Sequence, residues 1–174
     1  DLAASGALAH KETSLDAEFL REVFTDALGY APVTTGAAAY QLERQFTVPD
    51  VGTADGALGS FTVGQPALPV VLIEIKSANT NLDTDRSSGR TAVRQLWDYM
   101  NAMPECPWGI LSNLISFRLY HRDQGSRAFE LFTLDELKDH GRFREFYPLF
   151  GPGGLLPTRS DPTPRAAALL ARTG

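Results

Sequence analysis

The chain has 174 residues, 43% of them hydrophobic and 21% charged, with a formal net charge of −5. That length suffices for one domain with its own core, and no apolar run is long enough to span a bilayer. The acidic balance argues against a surface coated in cations for nucleic acid, so any DNA affinity is expected to be local, metal-assisted or supplied by a partner. One cysteine, Cys106, excludes an internal disulfide; with no signal segment visible, a cytoplasmic setting away from membranes is expected.

Residues 1–11 are Ala-rich and unpatterned, and read as a lead-in. "TSLDAEFLREVFTDALGY" (13–30) predicts a helix, with Thr13 or Ser14 as cap and Asp16 in the first turn. Its apolar stripe is Leu15, Phe19, Val23, Phe24, Ala27 and Leu28, and Gly29 is the stop. "AAAYQLERQFTV" (37–48) and "ADGALGSFTV" (54–63) read as strands around the turn "VPDVGT". After the loop "GQPALP", "VVLIEIK" (70–76) is a third strand, nearly continuous in apolar residues and therefore central.

A polar segment, 77–90, leads to the helix "TAVRQLWDYMNAM" (91–103), whose face is Val93, Leu96, Trp97 and Met100 and which Pro104 and Pro107 end. "WGILSN" (108–113), "SFRLYHR" (116–122) and "RAFELFTL" (127–134) read as strands, and 134–140 and 142–150 as short helices. From Gly151 the chain is rich in Pro and Gly, so 151–174 reads as a linker or tail, with 166–174 as the start of a helix. The order is helix, three strands, helix, strands, which gives an α/β core with a central sheet.

Within 70–76 the side chains alternate faces, placing Leu72, Glu74 and Lys76 together. A buried charge is costly unless paired or bound to a metal. One reading is an ordinary ion pair at a strand end. The other brings in Asp55, which an antiparallel neighbour would set beside Glu74. Two adjacent carboxylates repel unless a cation lies between them. Mg²⁺ takes hard oxygen ligands, and a nearby lysine can act on a water or a phosphate.

The residues "AD-GALG…VVLIEIK" resemble the PD-(D/E)xK nuclease motif, with Asp55 as first acid and Glu74 to Lys76 as its second half. Asp50, in the literal Pro49-Asp50 pair, is the alternative first acid. Gln95 and Tyr99 in "RQLWDY" resemble the Q-x-x-x-Y element on the following helix of many members. "WGILSNLISFRLYHR" resembles the succeeding segment in nuclease domains of restriction–modification enzymes of type IIG and type I-like form. The resemblance covers roughly residues 12–122. It implies a restriction-endonuclease-like core, α-β-β-β-α-β, with its mixed sheet flanked by helices, over residues 12–150.

It further implies a Mg²⁺-dependent endonuclease, with Mn²⁺ able to substitute, that cuts DNA in restriction or phage defence and leaves a 5′-phosphate and a 3′-hydroxyl. Asp55, Glu74 and the carbonyl of Ile75 would hold the metal, and Lys76 would position the attacking water. Gln95 would support the site or touch the phosphate. The first helix would add a glutamate: Glu18, with Glu12 and Glu22 as alternatives. Arg86, Arg90, Arg94 and Tyr99 would contact nucleic acid. A methyltransferase or helicase region is the expected partner, and a homodimer would suit double-strand cutting. The alternative from another class is an inactive module of the same fold that binds nucleic acid or protein. Cys106 reads as structural, and His10, His121 and His140 have no zinc-site spacing.

Overall fold

A computed structural model describes residues 14–158, 160 and 166. The lead-in, Glu12, Thr13 and nearly all of 166–174 lie outside the described residues. Residues 14–27 form helix α1, whose second half, Arg21–Ala27, is a π-helix. Its buried face is Leu20, Phe24 and Leu28, spaced by four. A four-residue step overshoots one α-turn, and the wider π winding cancels that drift. The expected stripe is therefore rotated: Leu15 is 51% exposed and Ala27 is exposed, while Leu20 joins the core. Gly29 ends the helix with a φ of +86°.

Strands β1 (Ala39–Val48), β2 (Gly52–Thr62) and β3 (Val71–Ile75) follow. The polar segment then holds a tiny hairpin, β4 (Arg86–Ser87) and β5 (Arg90–Thr91), turning at Ser88 and Gly89, both at positive φ. That is the backbone a two-residue hairpin turn requires. Helix α2 (Ala92–Ala102) is capped by Thr91, whose hydroxyl accepts from Arg94 N at 3.2 Å. Strands β6 (Trp108–Ser112), β7 (Ser116–His121) and β8 (Glu130–Thr133), and helices α3 (His140–Phe150) and α4 (Pro152–Leu155), complete the order.

Six strands form one mixed sheet, ordered β1-β2-β3-β6-β7-β8, in which only β3 and β6 run parallel. That pair is joined through α2, as a parallel pair needs a crossover. On one face Val71, Ile73 and Ile75 pack with α1 and with Phe146 and Phe150 of α3. On the other, Leu72 and Leu111 pack with Leu96, Tyr99 and Met100 of α2. All five residues of β3 are buried. The chain is thus a mixed α/β domain with a central sheet flanked by helices. No helix among the described residues is long and apolar enough to cross a membrane.

Just after Gly151, Pro152–Leu155 form the short helix α4. Leu155 and Leu156 are buried in the core cluster, as is Ala166. A Cβ at Gly154 would lie 1.9 Å from the carbonyl oxygen of Pro148. Glycine here permits α4 to fold tightly back on α3, so its composition serves close approach.

Arg122, just past β7, closes the far end of α2. Its guanidinium donates to the carbonyl of Met100, in the last turn of α2, and to those of Met103 and Cys106 in the turn that follows; Met100 and Met103 also accept from the N–H groups of Met103 and Cys106. We expect Arg122→Ala to cost roughly 2 kcal/mol, the scale of losing bonds from a charged donor to part-buried carbonyls. Urea unfolding should show a lower midpoint at unchanged slope; an unchanged midpoint would mean that water replaces the guanidinium freely.

Candidate active site

The register of β2 on β3 is Gly56↔Ile73, Ala57↔Leu72 and Leu58↔Val71. Continued, it would set Ala54 opposite Ile75. The ladder stops short of that, and the Ile75 N–H donates instead to Asp55 Oδ2 at 2.7 Å. The N–H and C=O of an extended residue leave by the same strand edge. The Ile75 carbonyl therefore lies on the edge that faces Asp55, while Lys76 N bonds Ser112 O on the opposite edge at 2.8 Å.

Glu74 and Lys76 project from the α2 face of β3. Glu74 is 3% exposed. Its Oε1 lies 3.1 Å from Lys76 Nζ, and its Oε2 is buried with no hydrogen-bond partner. Lys76 Nζ also donates to Gln95 Oε1 at 2.7 Å, and Gln95 Nε2 donates to Tyr99. Asp55, Glu74 and Lys76 line one cavity of about 410 Å³, together with Asp16, Arg86 and Arg90. Asp55, Glu74 and Lys76 thus meet at one place, as the sequence led us to expect.

Burial pushes the Glu74 carboxyl up to about 8. The Asp55 carboxylate beside it pushes the same way, and the Lys76 ammonium offsets only part of this. Asp55 is also raised, chiefly by burial, against the lowering effects of the Ile75 N–H, of Lys76 and of a side-chain hydrogen bond with Glu74. Two acids that each resist ionisation in one hollow form a site that gains from positive charge. The oxygens available to a cation are those of Asp55 and Glu74 and the carbonyl of Ile75. Among the described residues no three or more His, Cys, Asp or Glu side chains gather as a metal site.

Asp50 is elsewhere. It sits at φ +63° in the β1–β2 turn, where Val51 N bonds Val48 O at 3.2 Å. Proline followed by a residue at positive φ makes Pro49-Asp50 a turn pair. Glu18 is exposed and lines a different cavity, of about 540 Å³, with Arg21 and Arg44; Glu22 is exposed too. The acidic residue that α1 brings to the hollow is Asp16, close enough to raise Glu74 further. Its only sequence signal was its place in the first turn, which also suits a helix dipole.

Of the three arginines, Arg86 and Arg90 line the cavity and Arg94 does not. Asp98 holds Arg90 at 3.0 Å and Arg94 at 2.9 Å. Arg86 donates to Gly89 O across the hairpin turn at 3.1 Å. Tyr99 is buried, its hydroxyl turned to the carbonyl of Thr53, and presents no exposed ring to a nucleic acid. Cys106 is buried, which pushes its thiol up to about 12 and makes it inert.

Compared with known proteins, the chain matches no family model, no curated sequence and no solved structure.

The raised Glu74 has a measurable consequence without metal. Between its unfolded value of 4.5 and its folded value of about 8, the folded state holds a proton that the unfolded state releases. Stability therefore falls as pH rises through that window. In chelator, we expect the melting temperature to drop from about pH 5 to about pH 8, and Glu74→Gln to flatten that drop. An equally steep fall in the variant would assign it to other groups.

Proposed function

We propose that this domain is a Mg²⁺-dependent nuclease that hydrolyses DNA phosphodiester bonds at the hollow between β2, β3 and α2. The observation that carries the reading is the pair itself: Asp55 and Glu74, two buried acids side by side in one cavity, where Glu74 keeps its proton at neutral pH when no cation is there. A cation between them would take the place of that proton. Two carboxylates and one carbonyl suit Mg²⁺, which keeps several waters and takes few protein ligands. The order of α1, β1 to β3, α2 and β6 also fits the restriction-endonuclease-like core.

Asp55, Glu74 and the Ile75 carbonyl would hold the ion. When bound, it would supply Lewis-acid stabilisation of the charge that grows on phosphoryl oxygens. Lys76 orients the attacking water through its ammonium and offsets charge on the phosphate. The oxygen of that water bonds to phosphorus and gives up a proton to solvent, the bond to the 3′-oxygen breaks, and the leaving oxygen takes a proton from solvent. The products are a 5′-phosphate and a 3′-hydroxyl. Gln95 holds Lys76 through its carbonyl oxygen. Arg86 and Arg90, at the cavity rim, receive the phosphates that flank the scissile one. Target selection falls to a methyltransferase or helicase partner.

Two experiments test this. Purified protein should cut DNA with Mg²⁺ or Mn²⁺ and not with EDTA, and Lys76→Ala should lower cutting by at least about 100-fold, the usual cost of removing a charge-stabilising group. Retained activity in that variant would end the assignment. By calorimetry, Asp55→Ala should lose divalent-ion binding while Asp50→Ala keeps it; the opposite result would transfer the first acid to Asp50.

A further inference from the structure

We propose that Tyr99 is a positioning residue: it fixes the distance between the Lys76 amine and the strand that carries Asp55. This deepens the nuclease reading and rests on it for its kinetic part. Tyr99 and Gln95 are four apart on α2 and so share a flank. The chain of hydrogen bonds runs Lys76 Nζ to Gln95 Oε1 at 2.7 Å, Gln95 Nε2 to Tyr99 Oη at 3.1 Å, and Tyr99 Oη to the carbonyl of Thr53 at 3.2 Å.

The polarity of this chain has one solution. An ammonium only donates, so Lys76 requires the oxygen of the Gln95 amide. The amide nitrogen must then face Tyr99, whose oxygen accepts and whose hydrogen is left for Thr53. Flipping the amide would set its NH₂ against the ammonium. Each member is thus oriented by the one before it, and the series ends on a fixed backbone atom.

That end matters because of where it falls. β2 is paired to β3 only from Gly56 onward, and Asp55 lies beyond that ladder. Thr53 is two residues away, on the part of β2 that pairs with β1 alone. Tyr99 reaches this stretch from α2, and its ring lies against Gly52. There φ is +151°, and a Cβ would come within 3.4 Å of the ring. The hydroxyl therefore ties one half of the site, on β2, to the other, on β3, by way of α2. A phenylalanine would keep the packing and lose the tie.

The test is Tyr99→Phe, with Gln95→Leu and the double variant. We expect kcat on a DNA substrate with Mg²⁺ to fall about tenfold in Tyr99→Phe, with KM and Mn²⁺ affinity by calorimetry each within about twofold. The double variant should be no worse than the poorer single variant, because both cut one chain. Amide hydrogen exchange over residues 52–56 of the metal-free protein should quicken in Tyr99→Phe while its melting temperature stays within a few degrees. Wild-type cutting by Tyr99→Phe, a raised KM at unchanged kcat, or additive losses would overturn the proposal. A wild-type protein that cuts nothing with either ion would remove the nuclease reading instead. The exchange measurement would then decide the tie alone, unchanged exchange refuting it. Should Tyr99→Phe not fold, Gln95→Leu breaks the same chain and carries the kcat and exchange readouts.

Discussion

A carboxylate placed in the most buried strand of a sheet must be answered by its surroundings, and much of this domain is arranged around that demand. Glu74 follows Leu72 on the α2 face of β3, where Leu72 belongs to an apolar cluster with Leu96, Met100 and Leu111. Nothing apolar there can satisfy it. Its first oxygen is met by Lys76, one pleat further on. A single ion pair in low dielectric seldom repays the desolvation of both partners, and the upward displacement of Glu74 is the direct expression of that deficit. The separation of β2 from β3 adds to it by admitting Asp55. An apolar residue at 74 would avoid that cost; the acid kept there, with another beside it, is what the proposed site rests on.

The same demand accounts for the connections. The loop after β3 is not slack. Asn81 accepts from the backbone N–H of Asp83 and Thr84, Arg118 grips Asp83 through two bonds of 2.8 and 2.7 Å, and Asn113 donates to the carbonyl of Thr80. Leu82 is buried beneath. These contacts hold the β4–β5 hairpin, and with it Arg86 and Arg90, over the cavity. At the far edge of the sheet, β8 is also finished locally. Arg142 donates to the carbonyl of Leu131, and Glu136 accepts from the N–H of Thr133. Both groups would otherwise offer an open ladder to another strand.

The legible part of the sequence was that governed by short periods. Alternation in 70–76 put Glu74 and Lys76 on one face, and the four-residue spacing of Gln95 and Tyr99 put them on one flank. What escaped had partners far along the chain or depended on helix phase. The role of Tyr99 hangs on the carbonyl of Thr53, 46 residues earlier, and no side-chain pattern marks a carbonyl. Asp16, which α1 brings to the cavity, carried no signal beyond its place in the first turn of the helix, whereas Glu18 lines a different cavity. Strands of two residues, as in β4 and β5, have no period to read. The composition of 151–154 gave no sign of the close contact between Gly154 and the carbonyl of Pro148.

The charge distribution bears on how such a site would meet DNA. The chain as a whole is acidic, yet Lys76, Arg86 and Arg90 surround the carboxylate hollow. Asp98 engages both Arg90 and Arg94, so only part of the local cationic charge is left for a phosphate. Each phosphate neutralised contributes a salt-sensitive increment of affinity, and two arginines supply few such increments against a net negative field. On the nuclease reading, the cation in the hollow is then needed for binding as well as for chemistry. Asp55, Glu74 and the Ile75 carbonyl would hold such an ion, which would supply there the positive charge that the hollow lacks. A partner that brings DNA to the hollow would supply the affinity that this surface lacks, and the domain itself would contribute the geometry of cleavage.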